Sequence, residues 1–300
     1  MKKLSAASFA RARAFVARHA RPLERAQLAR EFDGAPARVV LDALAAFRNP
    51  DDGFGRALEP DLRLPDSSAL ATQTALDLLR ELDAPDDEPL LRGALRWLEQ
   101  RFDPEIPGWR AVPANVDSAP HAPHWAWALH RPGGSWDHVL IPGARILAHW
   151  SRWRRLAPRE PMRALAHAVS AHVTKLTPPV GADTLVYAAS VEDSALRARL
   201  RELARASVSR DPAEWSRYVA KPLKLAPLPD SPLVECLAAE LPANLDWEIE
   251  HQCPDGSWLP SWDWQGQFPA DWEVARREWQ GEITLRTLRS LRAFGRIEGR

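Results

Sequence analysis

Gln252-Cys253-Pro254-Asp255-Gly256-Ser257-Trp258 closes one helical pattern and opens a long irregular stretch. The same punctuation stands at Arg48-Asn49-Pro50-Asp51-Asp52-Gly53-Phe54-Gly55. A looser form runs from Trp97-Leu98-Glu99-Gln100 through Asp103-Pro104 to Pro107-Gly108-Trp109. In each, proline stops the helix because it has no N–H to donate. Asp and Gly then turn the chain, glycine supplying positive φ without steric cost, and an aromatic ring is sent back against the helices. Two of these turns are followed by similar segments, Thr72-Gln73-Thr74-Ala75-Leu76-Asp77-Leu78-Leu79 and Thr284-Leu285-Arg286-Thr287-Leu288-Arg289-Ser290-Leu291. A unit repeated at this scale is a helical hairpin that buries its apolar face by stacking on its neighbours.

Working outward, apolar residues recur with helical period and no strand-like alternation is sustained. Helices are predicted over 5–20, 35–48, 67–82, 87–102, 141–156, 160–176, 182–191, 193–208, 231–240, 243–252 and 280–295, with one more short helix within 21–33. Connections at 49–66, 103–140, 209–230 and 253–279 are long, whereas those at 83–86, 157–159 and 241–242 are short. If successive helices run antiparallel, the long loops gather at one mouth and the tight turns at the other end; that parity requires 119–130 to be mostly loop. The expected fold is all-α, a single domain over 1–300. It is an α/α toroid of about six helical hairpins, with inner helices 5–20, 67–82, 141–156, 182–191, 231–240 and 280–295.

The motifs carry a resemblance. Gln252-x-x-Asp255-Gly256-x-Trp258 and Asn49-x-Asp51-x-Gly53-Phe54-Gly55 resemble the QW repeat of squalene and other triterpene cyclases, a pattern that recurs in protein prenyltransferase β-subunits. The resemblance covers 35–109 and 241–295. It implies an α/α toroid and a cavity that takes an isoprenoid or other apolar substrate, with aromatic faces stabilising cationic intermediates. The catalytic signatures do not carry over. No Asp-x-Asp-Asp acid motif is present, Asp51-Asp52 and Asp86-Asp87 being isolated pairs. Cys236 follows Glu235 instead of standing in the Asp-x-Tyr-Cys zinc pattern of the prenyltransferases.

Composition narrows the function classes. Forty basic residues balance 40 acidic ones, which gives no footing for nucleic acid as a partner. The two cysteines, Cys236 and Cys253, do not make a disulfide framework, and a reducing, cytoplasmic setting fits. No apolar run is long enough to span a membrane, and Arg11, Arg13 and Arg18 interrupt the stretch that would otherwise mimic a signal peptide. The chain is tryptophan-rich, with 14 Trp against two Tyr, so something large and flat is packed or a cavity is lined.

Candidate site residues cluster in the loops. Asp117, His121 and His124 are read as acid/base groups or metal ligands, a carboxylate and neutral imidazoles being suited to zinc; the alternative is a Pro-rich loop that plugs the barrel with Trp125. No metal is assigned. Segment 258–279 holds five Trp in 22 residues (Trp258, Trp262, Trp264, Trp272 and Trp279). They line a mouth that binds an apolar, planar or sugar face, or they seal it. Asp263 and Glu273 would supply the catalytic carboxyls there. Tyr218, Lys221 and Asp183 are placed at the same mouth as substrate-binding groups, each with an ordinary alternative as salt bridge or helix cap. Glu59, Asp61 and Asp66 make an acidic loop, read either as a weak magnesium–diphosphate site or, more simply, as a solvated loop with one helix cap.

Two function classes stay open. One is a squalene cyclase- or prenyltransferase-like enzyme. The other is a non-catalytic toroid that binds a ligand or protein, or a carbohydrate-active α/α barrel. No cofactor is assigned and the oligomeric state is left open.

Overall fold

Helix starts follow the capping chemistry of the sequence. Ser5 Oγ accepts from the Ser8 amide (3.1 Å) at the head of α1, Ala6–His19. Ser68 Oγ accepts from Ala71 (3.0 Å) before α4, Ala69–Glu81. Elsewhere proline occupies the first turn, where its missing N–H costs nothing. This is so for α2, Pro22–Asp33, α5, Pro89–Gln100, α12, Leu241–Glu250, and α13, Pro269–Ala293. The remaining helices are α3, Ala37–Ala45, α6, Trp127–His130, α7, Arg145–Arg152, α8, Arg159–Lys175, α9, Ala182–Ala189, α10, Ser194–Ser207, and α11, Pro222–Leu225. The computed structural model describes residues 1–299. The protein is all-α: among those residues there is no β-strand, only isolated bridges.

Neighbouring helices close a circuit. α4 packs on α5 and on α7, α7 on α8, α9 on α10 and α11, α11 on α12, and α1 on α2 and α13. The π-helical turn 139–144 that leads into α7 joins it to α8 and α9. The end of α12 reaches α1 through Gln252, whose amide donates to Ser8 O (3.0 Å). α13 meets α4 through the Arg289–Glu81 ion pair (2.8 Å). The two chain ends also meet, Leu4 N donating to Arg296 O (2.8 Å) and Glu298 N to Leu4 O (3.0 Å).

The repeated turns recur in space. Phe54 N donates to Thr72 Oγ1 (3.0 Å), and Trp258 N donates to Thr284 Oγ1 (3.1 Å). Each ring-bearing residue is thereby tied to the helix that follows it, Phe54 to the first turn of α4 and Trp258 to the middle of α13. Trp258 Nε1 donates to Glu248 O, and Trp109 Nε1 to Leu98 O, both at 2.8 Å. Tryptophan thus satisfies a helix-end carbonyl that has no partner within its own helix. Gly256 is required for two reasons. Its φ is +95°, and an added Cβ would fall 2.4 Å from the backbone of Arg11.

Three sequence expectations change. Residues 231–240 form turns with one 3₁₀ segment, Glu235–Leu237, instead of an inner helix. Pro242 cannot donate a backbone bond to residue 238, so the helical pattern restarts at Leu241. The last helix begins at Pro269, not near 280, and Trp272 and Trp279 are therefore helical. The segment 119–130 expected as loop holds a 3₁₀ turn, Pro123–Trp125, and the one-turn α6.

Candidate functional site

The site is organised around Asp61. Loop 46–68 turns at 59–62, Leu62 N donating to Glu59 O (3.0 Å), and is zipped to the 101–126 loop by Ala122 N to Asp61 O (2.9 Å) and Arg63 N to Pro120 O (3.0 Å). That pairing sets the Asp61 carboxylate inward, where it is 2% exposed. Three indoles converge on it: Trp264 Nε1 donates to Oδ1 (2.7 Å), Trp279 Nε1 to Oδ1 (2.8 Å) and Trp262 Nε1 to Oδ2 (2.9 Å). Buried indole N–H groups need acceptors, and one carboxylate meets three of them. The acidic loop is therefore not simply solvated: Asp61 is a buried anchor, while Asp66 is exposed and bonded to Asn115 (2.7 Å).

Around this anchor lies a recess. Glu81 keeps 45% of its side-chain surface accessible, Asp183 44% and Glu282 32%, yet burial is the largest influence on each carboxyl. Side chains that keep accessible surface while protein atoms crowd them line a concavity, not a convex face. Inner helices present polar stripes to it at helical spacing: Gln73, Asp77 and Glu81 on α4, Glu282, Arg286 and Arg289 on α13. Asp77 is paired with Arg145 (2.6 Å) and approached by His149 Nε2 at 3.0 Å, off the hydrogen-bond direction. Tyr187 OH donates to Gln73 Oε1 (2.8 Å), and the Gln73 amide donates to Asp77. Lys224 pairs with Asp183 (3.1 Å) and sits 4.0 Å over the Tyr218 ring, while Tyr218 OH donates to Asp183.

The charges sort themselves by environment. Burial pushes the Asp77 carboxyl up, but Arg145 and His149 more than offset it and hold it below the usual range. Lys224 and Tyr218 likewise outweigh burial at Asp183. At Glu282 burial prevails over Arg286 and Arg21 and the carboxyl is raised. Glu59 is the extreme case. Burial, then the charges of Asp61 and Glu282, drive it well above the carboxylate range. Among the described residues no hydrogen bond or ion pair reaches its carboxyl, although the residue is only half-buried. Glu59 is an unpartnered acid close to Asp61, and its surroundings favour the protonated form.

Of the residues expected from sequence, the structure brings Asp183, Tyr218, Trp262 and His124 to this recess. Trp262 stands between Tyr218 (5.8 Å) and Trp279 (5.0 Å) in edge-on contact with both. His124 is close enough to Asp61 and Asp183 to feel both charges, while burial holds its pKa below the usual value. The others lie elsewhere. Trp264 is fully buried, so it holds Asp61 and offers no face to a ligand; Trp272 stacks on it at 5.7 Å. Trp125 is buried among His124, His130 and Trp136. Asp117 accepts from Trp127 N (2.9 Å) and contacts His121 (3.2 Å), whose other ring nitrogen meets Ala122 O (2.8 Å), so the pair fastens the loop. Asp263 is exposed and accepts from Gln265 N (2.7 Å), and Glu273 is exposed and paired with Arg276 (2.9 Å). Lys221 pairs with Glu248 (2.6 Å) over the Trp247 ring. Among the described residues, no group of three His, Cys, Asp or Glu side chains is arranged to hold a metal ion.

The lid over this end depends on two neutral histidines. His130 Nε2–H donates to His124 O (2.9 Å), and His138 Nε2–H to His130 O (3.2 Å), leaving His138 Nδ1 to accept from Ala111 N (3.2 Å). Burial lowers both, His130 to about 4. With the folded value below the unfolded one, the unfolded state takes up protons first. Stability therefore falls as pH drops from about 6.5 towards 4, with His130 contributing about 2–3 kcal/mol to the loss. Urea unfolding from pH 7 to pH 4 checks this: His130→Asn should flatten the decline, and an equally steep decline in the variant would contradict the assignment.

No protein-family model matches the chain, and a search of curated proteins finds no match either. Among the described residues no helix is long and apolar enough to cross a membrane.

Proposed function

We propose that this chain is an α/α toroid, similar in architecture to the terpenoid cyclases, whose central chamber binds a small polyhydroxylated, sugar-like ligand and works on it by acid–base chemistry. The circuit of helix contacts and the recurring turns support the architecture. Glu59 supports the chemistry. A general acid must be protonated at working pH, reachable by the ligand and free of competing partners; burial favours the protonated form of Glu59, the residue is only half-buried, and no described side chain engages its carboxyl. Its proton passes to a ligand oxygen as the bond from that oxygen to carbon breaks. Water adds to the cationic carbon, and the proton that this water loses returns to Glu59. Asp61, fixed by three indoles, stabilises the positive charge in between. Trp262 and Tyr218 supply the flat faces on which a sugar ring packs.

The lining favours a polar ligand over the isoprenoid that the cyclase resemblance implies. Asp77–Arg145, Asp183–Lys224 and Glu81–Arg289 all face the recess. A hydrocarbon chain would strip water from these groups without replacing its hydrogen bonds, which is unfavourable; hydroxyls replace them. Thermal unfolding with a panel of oligosaccharides, uronic acids and prenyl alcohols discriminates. At about 100 times its Kd, a carbohydrate ligand stabilises by about 2.7 kcal/mol, a shift of several degrees. A shift confined to farnesol and geranylgeraniol would reinstate the isoprenoid reading, and no shift from any of them would contradict both.

A further inference from the structure

The opposite end of α4 carries a second recess. Where the α4–α5 turn meets the turn between α7 and α8, a half-open cavity of about 750 Å³ is lined by Asp86, Arg152, Trp153, Arg154, Arg155, Arg159 and Met162. Four guanidinium groups and one carboxylate therefore share a concavity within the usual size range for small-ligand sites. Arg152 is paired with Asp83. Among the described residues no carboxylate pairs with Arg154, Arg155 or Arg159. Other exposed arginines of the described residues, Arg18 and Arg197 for example, also lack an acidic partner, but Arg154, Arg155 and Arg159 share one concavity.

Local helix electrostatics do not account for the cluster. Arg154 and Arg155 follow the C-terminus of α7, where cations are favoured, but Arg159 is the first residue of α8, where the dipole opposes a cation. The acid next to it, Glu160, is engaged with Arg163 instead. Three like charges drawn into one concavity repel one another unless an anion joins them.

We infer that this cavity is a binding site for a phosphate-bearing ligand of di- or triphosphate type, independent of the chamber around Glu59. Guanidinium forks match phosphate oxygens two at a time, and three forks call for the several acceptors of a polyphosphate group. Asp86 is left to accept from a hydroxyl or amino group on the rest of the ligand, and Met162 supplies apolar contact. The phosphate comes either from a soluble compound or from a lipid headgroup.

Isothermal titration of the full chain with pyrophosphate and with ADP at low and moderate salt tests the site, alongside co-sedimentation with phosphatidylcholine vesicles carrying phosphatidylglycerol or a phosphoinositide. The wild type should bind a soluble probe or the anionic vesicles, less tightly as salt rises. The triple variant Arg154→Gln/Arg155→Gln/Arg159→Gln should bind about 100-fold more weakly with an unchanged unfolding temperature, because the three side chains are exposed. Lysine at the same positions should restore only part of the affinity. Binding of pyrophosphate or ADP identifies a soluble ligand; binding of vesicles alone identifies a headgroup. No binding of any probe, or equal binding by the glutamine variant, would overturn the site.

Discussion

Replacing Asp61 with alanine lowers the unfolding free energy by about 3–5 kcal/mol, as the loss of one partner from a buried charged network does. The reason lies in what the substitution leaves behind. Trp264 and Trp279 are buried, and Trp262 is partly so; all three N–H groups lose their only acceptor at once. A buried donor without a partner costs about 1–3 kcal/mol, and the three share one cavity, so the penalties do not simply add. Asn at 61 keeps one acceptor oxygen but turns an amide N–H₂ towards at least one indole, and should lose about half as much. Trp264→Phe removes one donor while Asp61 keeps two, so its effect should be smaller than that of Asp61→Ala. Guanidinium unfolding monitored by tryptophan fluorescence gives all three values. An Asp61→Ala loss below about 1 kcal/mol would mean that water reaches the carboxylate and that the anchor is not a structural one.

Glu59→Gln has the opposite profile. Once a turned-over carbohydrate is in hand, kcat should fall by about 10²–10⁴-fold, the range for removing a general acid, while the fold is kept. Glutamine has nearly the same shape and cannot release a proton. The stability consequence has a definite sign. Glu59 has a folded pKa raised above its unfolded value, so its contribution is fully present at low pH and lost as pH rises through the folded value. The variant is freed from that loss and should match the wild type in acid and exceed it at alkaline pH. Equal kcat in the two proteins would remove Glu59 from the chemistry.

Legibility in the sequence followed the range of the interactions. The Pro-Asp-Gly-aromatic turns and the first-turn prolines are local, so they placed most helices within a few residues. Pro242 does stand in the first turn of its helix, but two other prolines were misread: Pro269 begins α13 eleven residues before its expected start, and Pro232 opens no helix over 231–240. At the mouth, Asp183, Tyr218, Trp262 and His124 were legible because aromatic, His and Asp residues in long loops are conspicuous. The core of the site was not. Glu59 and Asp61 looked like a solvated acidic loop, because nothing within ten residues shows that indoles some 200 positions away close on it. The stripes Gln73-Asp77-Glu81 and Glu282-Arg286-Arg289 lie on helices read as inner ones, but drew no site assignment, because the groups that engage them, Arg145, Tyr187 and Glu31, are far away in sequence. Five tryptophans with few acceptors nearby were the available signal, since each buried indole requires one.

The protonation state of Glu59 at neutral pH tests the account most directly. Infrared difference spectroscopy between the wild type and Glu59→Gln isolates that carboxyl, because a protonated acid and a carboxylate absorb in separate bands. The account predicts a protonated-acid band at pH 7 that persists well above the normal carboxylate range and shifts when a carbohydrate ligand fills the chamber. A carboxylate band at pH 7, titrating near the ordinary glutamate value, would contradict it.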